Sequence, residues 1–234
     1  MNRNPFEYDL DPDGPRGISV QSWLEKAHVA LVVIDVQNYI TRPEFSGTWT
    51  AAGGDDYYYN RLTSVVLPNL LALTDRFRLL GCPVVYTRIA ALNKNMRDVP
   101  GLARKVLLQE TKDAKGRNYY LLADQFASQI DARIAPQADD IVVLKTGSGA
   151  FCSSDMDSVL RNNDITRLVF TGGLTDACVS SSVREAYDRG FLCTIAEDAC
   201  ITSTEEDHRA ALRSLTKFYG WVTTSKEVIT CLPA

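Results

Sequence analysis

Ala27-His28-Val29-Ala30-Leu31-Val32-Val33-Ile34-Asp35-Val36 is an almost unbroken apolar, β-branched run. A run without polar alternation reads as a strand buried on both faces of a parallel sheet, covered by helices on each side. Asp35 stands at its C-terminal end. A charge there is costly to bury unless it is paired. Asp35 therefore either serves a site at that end of the strand or ties down the loop that follows.

A second stretch of this kind, Arg167-Leu168-Val169-Phe170, leads into Thr171-Gly172-Gly173-Leu174-Thr175-Asp176-Ala177-Cys178-Val179. Ser180 to Arg189 then reads as a helix ending at Gly190. The pattern is strand, glycine turn and helix start, with a cysteine in the first turn. Free N–H groups and the helix dipole at such a terminus favour a thiolate and can also hold an oxyanion.

The other elements follow the same alternation. Gln37 to Tyr59 reads as a loop carrying Tyr39, Phe45, Trp49 and Tyr57 to Tyr59, the last three covering a sheet edge or an oligomer contact. Arg61 to Leu80 reads as a helix, which Pro68 kinks or shortens. Pro83 to Thr87 is a short strand with Arg88 after it, placed either to hold a ligand or to form a rim salt bridge. Residues 89–125 read as a long polar excursion, and Asp140 to Leu144 as a strand ending at Lys145. Thr146-Gly147-Ser148-Gly149-Ala150-Phe151 follows, and is not a Walker loop because its lysine precedes the glycines. Ser154 is the expected N-cap of a helix over 155–161, and 191–196 a further strand. Ser203-x-x-Glu206 predicts a capping box for a helix reaching Tyr219. The last edge strand falls at 221–222 or 227–229. Residues 1–20 read as an N-terminal arm, and 21–234 as one doubly wound α/β domain with a mostly parallel sheet.

Net charge is −4, which carries no basic footprint for nucleic acid. No apolar run reaches the length of a membrane span, and Met1 to Gly17 is not a signal peptide. Six cysteines without CxxC spacing suggest reduced thiols in the cytoplasm. Cys82 and Cys193 read as buried apolar residues, Cys152 and Cys200 as loop residues, and Cys231 as part of the tail. The two histidines, His28 and His208, suit neither a Cys-His dyad nor a metal cluster and read as structural or solvated.

Asp35, Lys145 and Cys178 thus stand at the C-terminal ends of three strands, which converge on one crevice in an open parallel sheet. Cys178 is placed to attack a carbonyl, Asp35 to take and return its proton, and Lys145 to hold Asp35 ionised and help stabilise the thiolate.

The chain resembles the isochorismatase-like cysteine hydrolase superfamily, which includes nicotinamidases and N-carbamoylsarcosine, biuret and ureidoacrylate amidohydrolases. The matching residues are Val32 to Asn38, Lys145 with Ser148 to Phe151, and Thr171 to Val179. Arg184 to Phe191, Glu197-Asp198 and Phe218 to Val222 match as well. The resemblance implies a three-layer, Rossmann-like fold with a six-stranded sheet flanked by helices, an Asp35-Lys145-Cys178 triad and a homo-oligomer. It also implies a cis peptide at Gly173–Leu174, which turns the Leu174 amide toward the oxyanion beside that of Cys178. No histidine lies between His28 and His208, so the metal site of nicotinamidases is not expected, nor any cofactor. Cys178 is present where true isochorismatases lack a nucleophile. Asn38 and Leu174 depart from common family residues.

The expected activity is hydrolysis of a C–N bond in a small amide, ureido or carbamoyl compound through a thioester, with release of ammonia or amine. Asn38 and Arg88 are candidate polar anchors, and Phe45, Trp49 and Phe151 candidate walls. The alternatives are an ether hydrolase of the isochorismatase type and a non-catalytic oligomeric binding protein on the same fold.

Overall fold

A computed structural model describes residues 24, 28–45, 54–109, 115–116 and 121–232. Trp49 and residues 1–20 lie outside them. Six strands form one sheet among the described residues: β1 (Val29–Ile34), β2 (Val84–Ile89), β3 (Ile141–Lys145), β4 (Arg167–Gly173), β5 (Leu192–Ile201) and β6 (Trp221–Thr223). Their order is β3-β2-β1-β4-β5-β6, and every pairing is parallel. The order reverses between β1 and β4, which is where a doubly wound sheet opens its ligand crevice.

The helices bounded within the described residues are α1 (Asn38–Thr41), α2 (Gly54–Arg61), α3 (Leu67–Leu79), α4 (Gly101–Gln109), α5 (Met156–Asn162), α6 (Ser180–Asp188), α7 (Glu205–Thr216) and α8 (Ser225–Cys231). Alternate residues of β1 feed two separate cores. Ala30, Val32 and Ile34 pack with residues of α5, α6 and α7, while Val29, Leu31 and Val33 pack with α3 and α8. Burial on both faces is why β1 needs no polar alternation.

Several local expectations give way to tertiary contacts. The loop expected over 37–59 contains α1 and a 3-10 turn at Pro43–Phe45, and from Gly54 it is helix. Gln37 stabilises this departure by acting as a piece of strand. Its amide donates to Ile89 O (3.1 Å) and Ser128 O (2.6 Å) and accepts from Ile89 N–H (2.8 Å). Pro68 falls in the first turn of α3, where a missing N–H is harmless, and a π-turn at Leu62–Val66 joins α2 to α3. The excursion over 89–125 is not wholly irregular. It contains α4, entered from Pro100 and built of good helix formers.

The strand expected over 191–196 continues to Ile201. Phe170 pairs with Ile195 but Gly172 pairs with Cys200, so β5 bulges through Glu197-Asp198 and carries Cys200 inside a strand, not a loop. The N-cap of α7 is Thr204, not Ser203, and the helix stops at Thr216. The capping box belongs to α8, where Thr224 and Glu227 exchange side-chain and backbone bonds, so 227–229 is helix and 221–223 is the edge strand. At α5 the cap position falls on Asp155, yet it is the Ser154 hydroxyl that accepts the Met156 N–H at 3.1 Å. Cys82 is half-buried, not buried, and Cys231 belongs to α8.

Candidate active site

The three strand-end residues meet. Lys145 Nζ lies 2.8 Å from Asp35 Oδ2, and neither side chain is exposed to solvent. The other ammonium protons go to Gly147 O (2.8 Å) and Ser148 O (2.9 Å). Burial works against this ammonium, but Asp35 and Cys178 outweigh it and hold the Lys145 pKa above its ordinary value. The Cys178 thiol lies close enough to Asp35 and Lys145 to feel both charges, and it retains 9% exposure.

Local backbone geometry brings these groups together. Asp35 has φ 48°, a left-handed conformation that aspartate tolerates better than most residues, so the chain leaves the line of β1 there. Gly172 has φ 97°, and a Cβ on it would lie 2.1 Å from Ile34 O. The close approach of β1 and β4 at the crevice thus requires glycine. The Gly173–Leu174 peptide is cis. Cys178 sits in a π-turn, Thr175–Val179, that opens directly into α6.

The resting state of the thiol differs from the thiolate expected at a helix start. Burial pushes Cys178 up to about 12, the neighbouring Asp35 carboxylate adds to this, and Lys145 opposes it. Desolvation and a like charge outweigh the helix terminus. The pocket therefore favours Cys178 as a thiol beside its base.

The two candidate polar anchors, Arg88 and Asn38, are engaged by other protein groups. Arg88 donates to Ala123 O (2.6 Å) and Ser128 O (2.9 Å), which makes it a brace for the 121–129 segment. Asn38 donates to Phe126 O (2.9 Å) and accepts from Arg42 Nε (2.8 Å). Thr87, one residue before Arg88, is the side chain that meets Asp35. Its hydroxyl donates to Asp35 Oδ1 (2.7 Å) and accepts the Asp35 N–H (3.1 Å). Strand alternation sends Thr87 and Arg88 to opposite faces. Hence Thr87 was the available signal, as a hydroxyl at a strand end.

Phe151 is buried in the same core as Cys178, with its ring 5.6 Å from that of Phe191. Phe45 packs with Tyr39, Ile40 and Leu121. Tyr58 is fully buried in the core under α3, and Tyr59 donates to Arg42 O.

His208 is buried and neutral. Burial depresses its pKa, Arg61 contacts Nε2 at 2.9 Å, and Nδ1 meets Thr175 Oγ1 at 2.9 Å. His28 is exposed. Both are structural or solvated, as their placement in the sequence implies. Among the described residues, no group of three or more His, Cys, Asp or Glu side chains gathers as a metal site, and no helix is long and apolar enough to cross a membrane.

The Isochorismatase domain family matches residues 29–227. The chain belongs to the isochorismatase family of hydrolases. Among its curated relatives is the ureidoacrylate amidohydrolase RutB of Methylobacterium radiotolerans, 30% identical over 85% of this chain and 77% of that protein. Among solved structures, an isochorismatase family protein from Desulfovibrio vulgaris superposes with TM-score 0.73 at 18% identity, covering 87% of this chain and 97% of that one. N-carbamoylsarcosine amidase from Thermoplasma acidophilum does so with TM-score 0.64 at 21% identity, covering 84% and 96%. These two likenesses concern the fold. The three-layer arrangement of a six-stranded parallel sheet between helices is that of isochorismatase-like hydrolases.

Proposed function

We propose that this protein is a cysteine-dependent amidohydrolase that cleaves the C–N bond of a small ureido or carbamoyl compound. The observation that carries the reading is the buried contact of Cys178 with both Asp35 and Lys145 at the switch point of the sheet. The relatedness to ureidoacrylate amidohydrolases over most of both chains supports the substrate class.

In this mechanism Asp35 takes the Cys178 proton as Sγ attacks the carbonyl carbon. Transfer during attack suits a thiol whose pKa lies far above neutrality. The tetrahedral oxyanion is held by the Leu174 and Cys178 amides. Its collapse breaks the C–N bond, and Asp35 returns the proton to the departing nitrogen. Water, deprotonated by Asp35, then attacks the thioester and releases the acid or carbamate, while the proton returns to Cys178. Lys145 holds the carboxylate in place and balances its charge through both halves.

Phe151 and Phe45 wall the substrate, and Asn38 and Arg88 shape that wall by bracing the 121–129 segment. The reading includes a homo-oligomer. It also includes a cytoplasmic setting, in keeping with six free thiols.

The test is ammonia release from ureidoacrylate, biuret, N-carbamoyl amino acids, maleamate and nicotinamide, without added metal, by wild type and Cys178→Ala. Release by wild type alone supports the mechanism. Equal release by both proteins removes Cys178 from it, and hydrolysis of isochorismate by both would move the chain to the ether-hydrolase class.

A further inference from the structure

Cys178, Ser182 and Glu185 are spaced i, i+4 and i+7, which places them along one helical face. Each of the last two binds the loop after Lys145. Ser182 Oγ donates to Cys178 O (2.7 Å) and accepts the Ala150 N–H (3.1 Å). Glu185 Oε2 accepts the N–H groups of Phe151 (2.8 Å) and Cys152 (3.2 Å). The fit is close: a Cβ on Gly149 would come within 2.0 Å of Glu185 Oε1, so a side chain there would displace the carboxylate.

The same loop supplies the two carbonyls, Gly147 O and Ser148 O, that hold the Lys145 ammonium. Three consecutive amides of the loop, at 150, 151 and 152, are therefore anchored to α6, and two of its carbonyls fix the lysine. The helix that begins at the nucleophile also sets where the lysine stands.

We infer that Ser182 and Glu185 are positioning residues that lock the Lys145 loop to the nucleophile helix and so fix the Lys145–Cys178 geometry. The inference rests on Cys178 being the nucleophile. Glu185 acts through its acceptor oxygen and not through its charge, because its partners are neutral amides. A catalytic group displaced by about 1 Å loses roughly 100-fold in rate.

The experiment compares Glu185→Ala, Glu185→Gln and Glu185→Asp with wild type. It reads kcat and KM on whichever amide the wild type hydrolyses, together with the pH profile of Cys178 alkylation by iodoacetamide, followed by peptide mass spectrometry. Glu185→Ala is expected to lose about 10- to 100-fold in kcat with KM within about twofold, and to shift Cys178 alkylation to higher pH. Glu185→Gln, which keeps an oxygen in place, recovers to within about threefold of wild type.

A Glu185→Ala protein with a lower Tm but unchanged kcat and alkylation profile would overturn the inference. So would a Gln variant no better than Ala. If the Ala variant does not fold, the comparison of Asp with Gln decides. Aspartate, one methylene short, must be slower than glutamine, and equal rates for the two sink the idea. Activity that survives Cys178→Ala would instead overturn the amidohydrolase reading beneath it, so the two failures are distinguishable.

Discussion

Thr87 illustrates how a single hydroxyl sets up an acid–base group. It donates to one Asp35 oxygen and accepts the Asp35 N–H, while Lys145 takes the other oxygen. Both carboxylate oxygens are thereby oriented before substrate arrives. Thr87→Val keeps the shape and removes both bonds, leaving a buried N–H without its partner. A hydrogen bond to a charged group contributes roughly 1.5–3 kcal/mol, so kcat is expected to fall about 10- to 100-fold. Steady-state kinetics beside a melting curve checks this. A Val variant with wild-type kcat would show that Lys145 alone orients Asp35. The residue is legible in the sequence only as a polar group at a strand end. Its neighbour Arg88 carries the stronger chemical signal but faces the other way.

At the scale of elements, α8 shows how local capping and a distant brace combine. Thr224 Oγ1 accepts the Glu227 N–H (3.2 Å), and the Glu227 carboxylate accepts the Thr224 N–H (3.3 Å). Asp198, on the β5 bulge, accepts both the N–H and the hydroxyl of Ser225 at 2.7 Å. Glu197-Asp198 therefore serves the frame: Asp198 starts α8, and Glu197 sits 3.7 Å from Arg61. Thr224→Ala removes the cap and is expected to cost about 1 kcal/mol. For a chain of this size that lowers Tm by roughly 2–4 °C. Differential scanning calorimetry measures it, with activity expected unchanged because α8 lies on the face of the sheet away from the Cys178 core. A Tm equal to wild type would show that the Asp198 brace alone starts the helix.

For the whole molecule, the buried thiols set the alkaline limit. Cys178, Cys193 and Cys200 are all pushed up, by burial first. In the unfolded chain these thiols ionise near pH 8.5. Their folded pKa values lie above the unfolded ones. The stability they carry is therefore fully present below about pH 8.5 and is lost as pH rises toward the folded values. Tm measured under reducing conditions is expected to hold from pH 7 to about 8.5 and then to decline toward pH 10. Cys193→Ala/Cys200→Ala lowers Tm throughout, through its cavities, but declines less steeply. A flat wild-type profile to pH 10 would mean that these thiols are hydrated in the folded protein.

The apolar run of β1 and the glycine turn after β4 are written in contiguous residues. They suffice for a parallel sheet buried on both faces, with Asp35 and Cys178 at its C-terminal edge. Backbone conformation and strand periodicity are local properties, so that part of the protein was determined by sequence alone. Only the tertiary structure decided which neighbour meets Asp35, that Cys178 rests as a thiol, that β5 bulges at Glu197-Asp198, and that α6 holds the Lys145 loop. Each of these depends on partners far apart in the chain: Asp35 with Thr87 across 52 residues, and Phe151 with Glu185 across 34. Desolvation and hydrogen-bond geometry arise from which surfaces come together, and contiguous residues do not encode that.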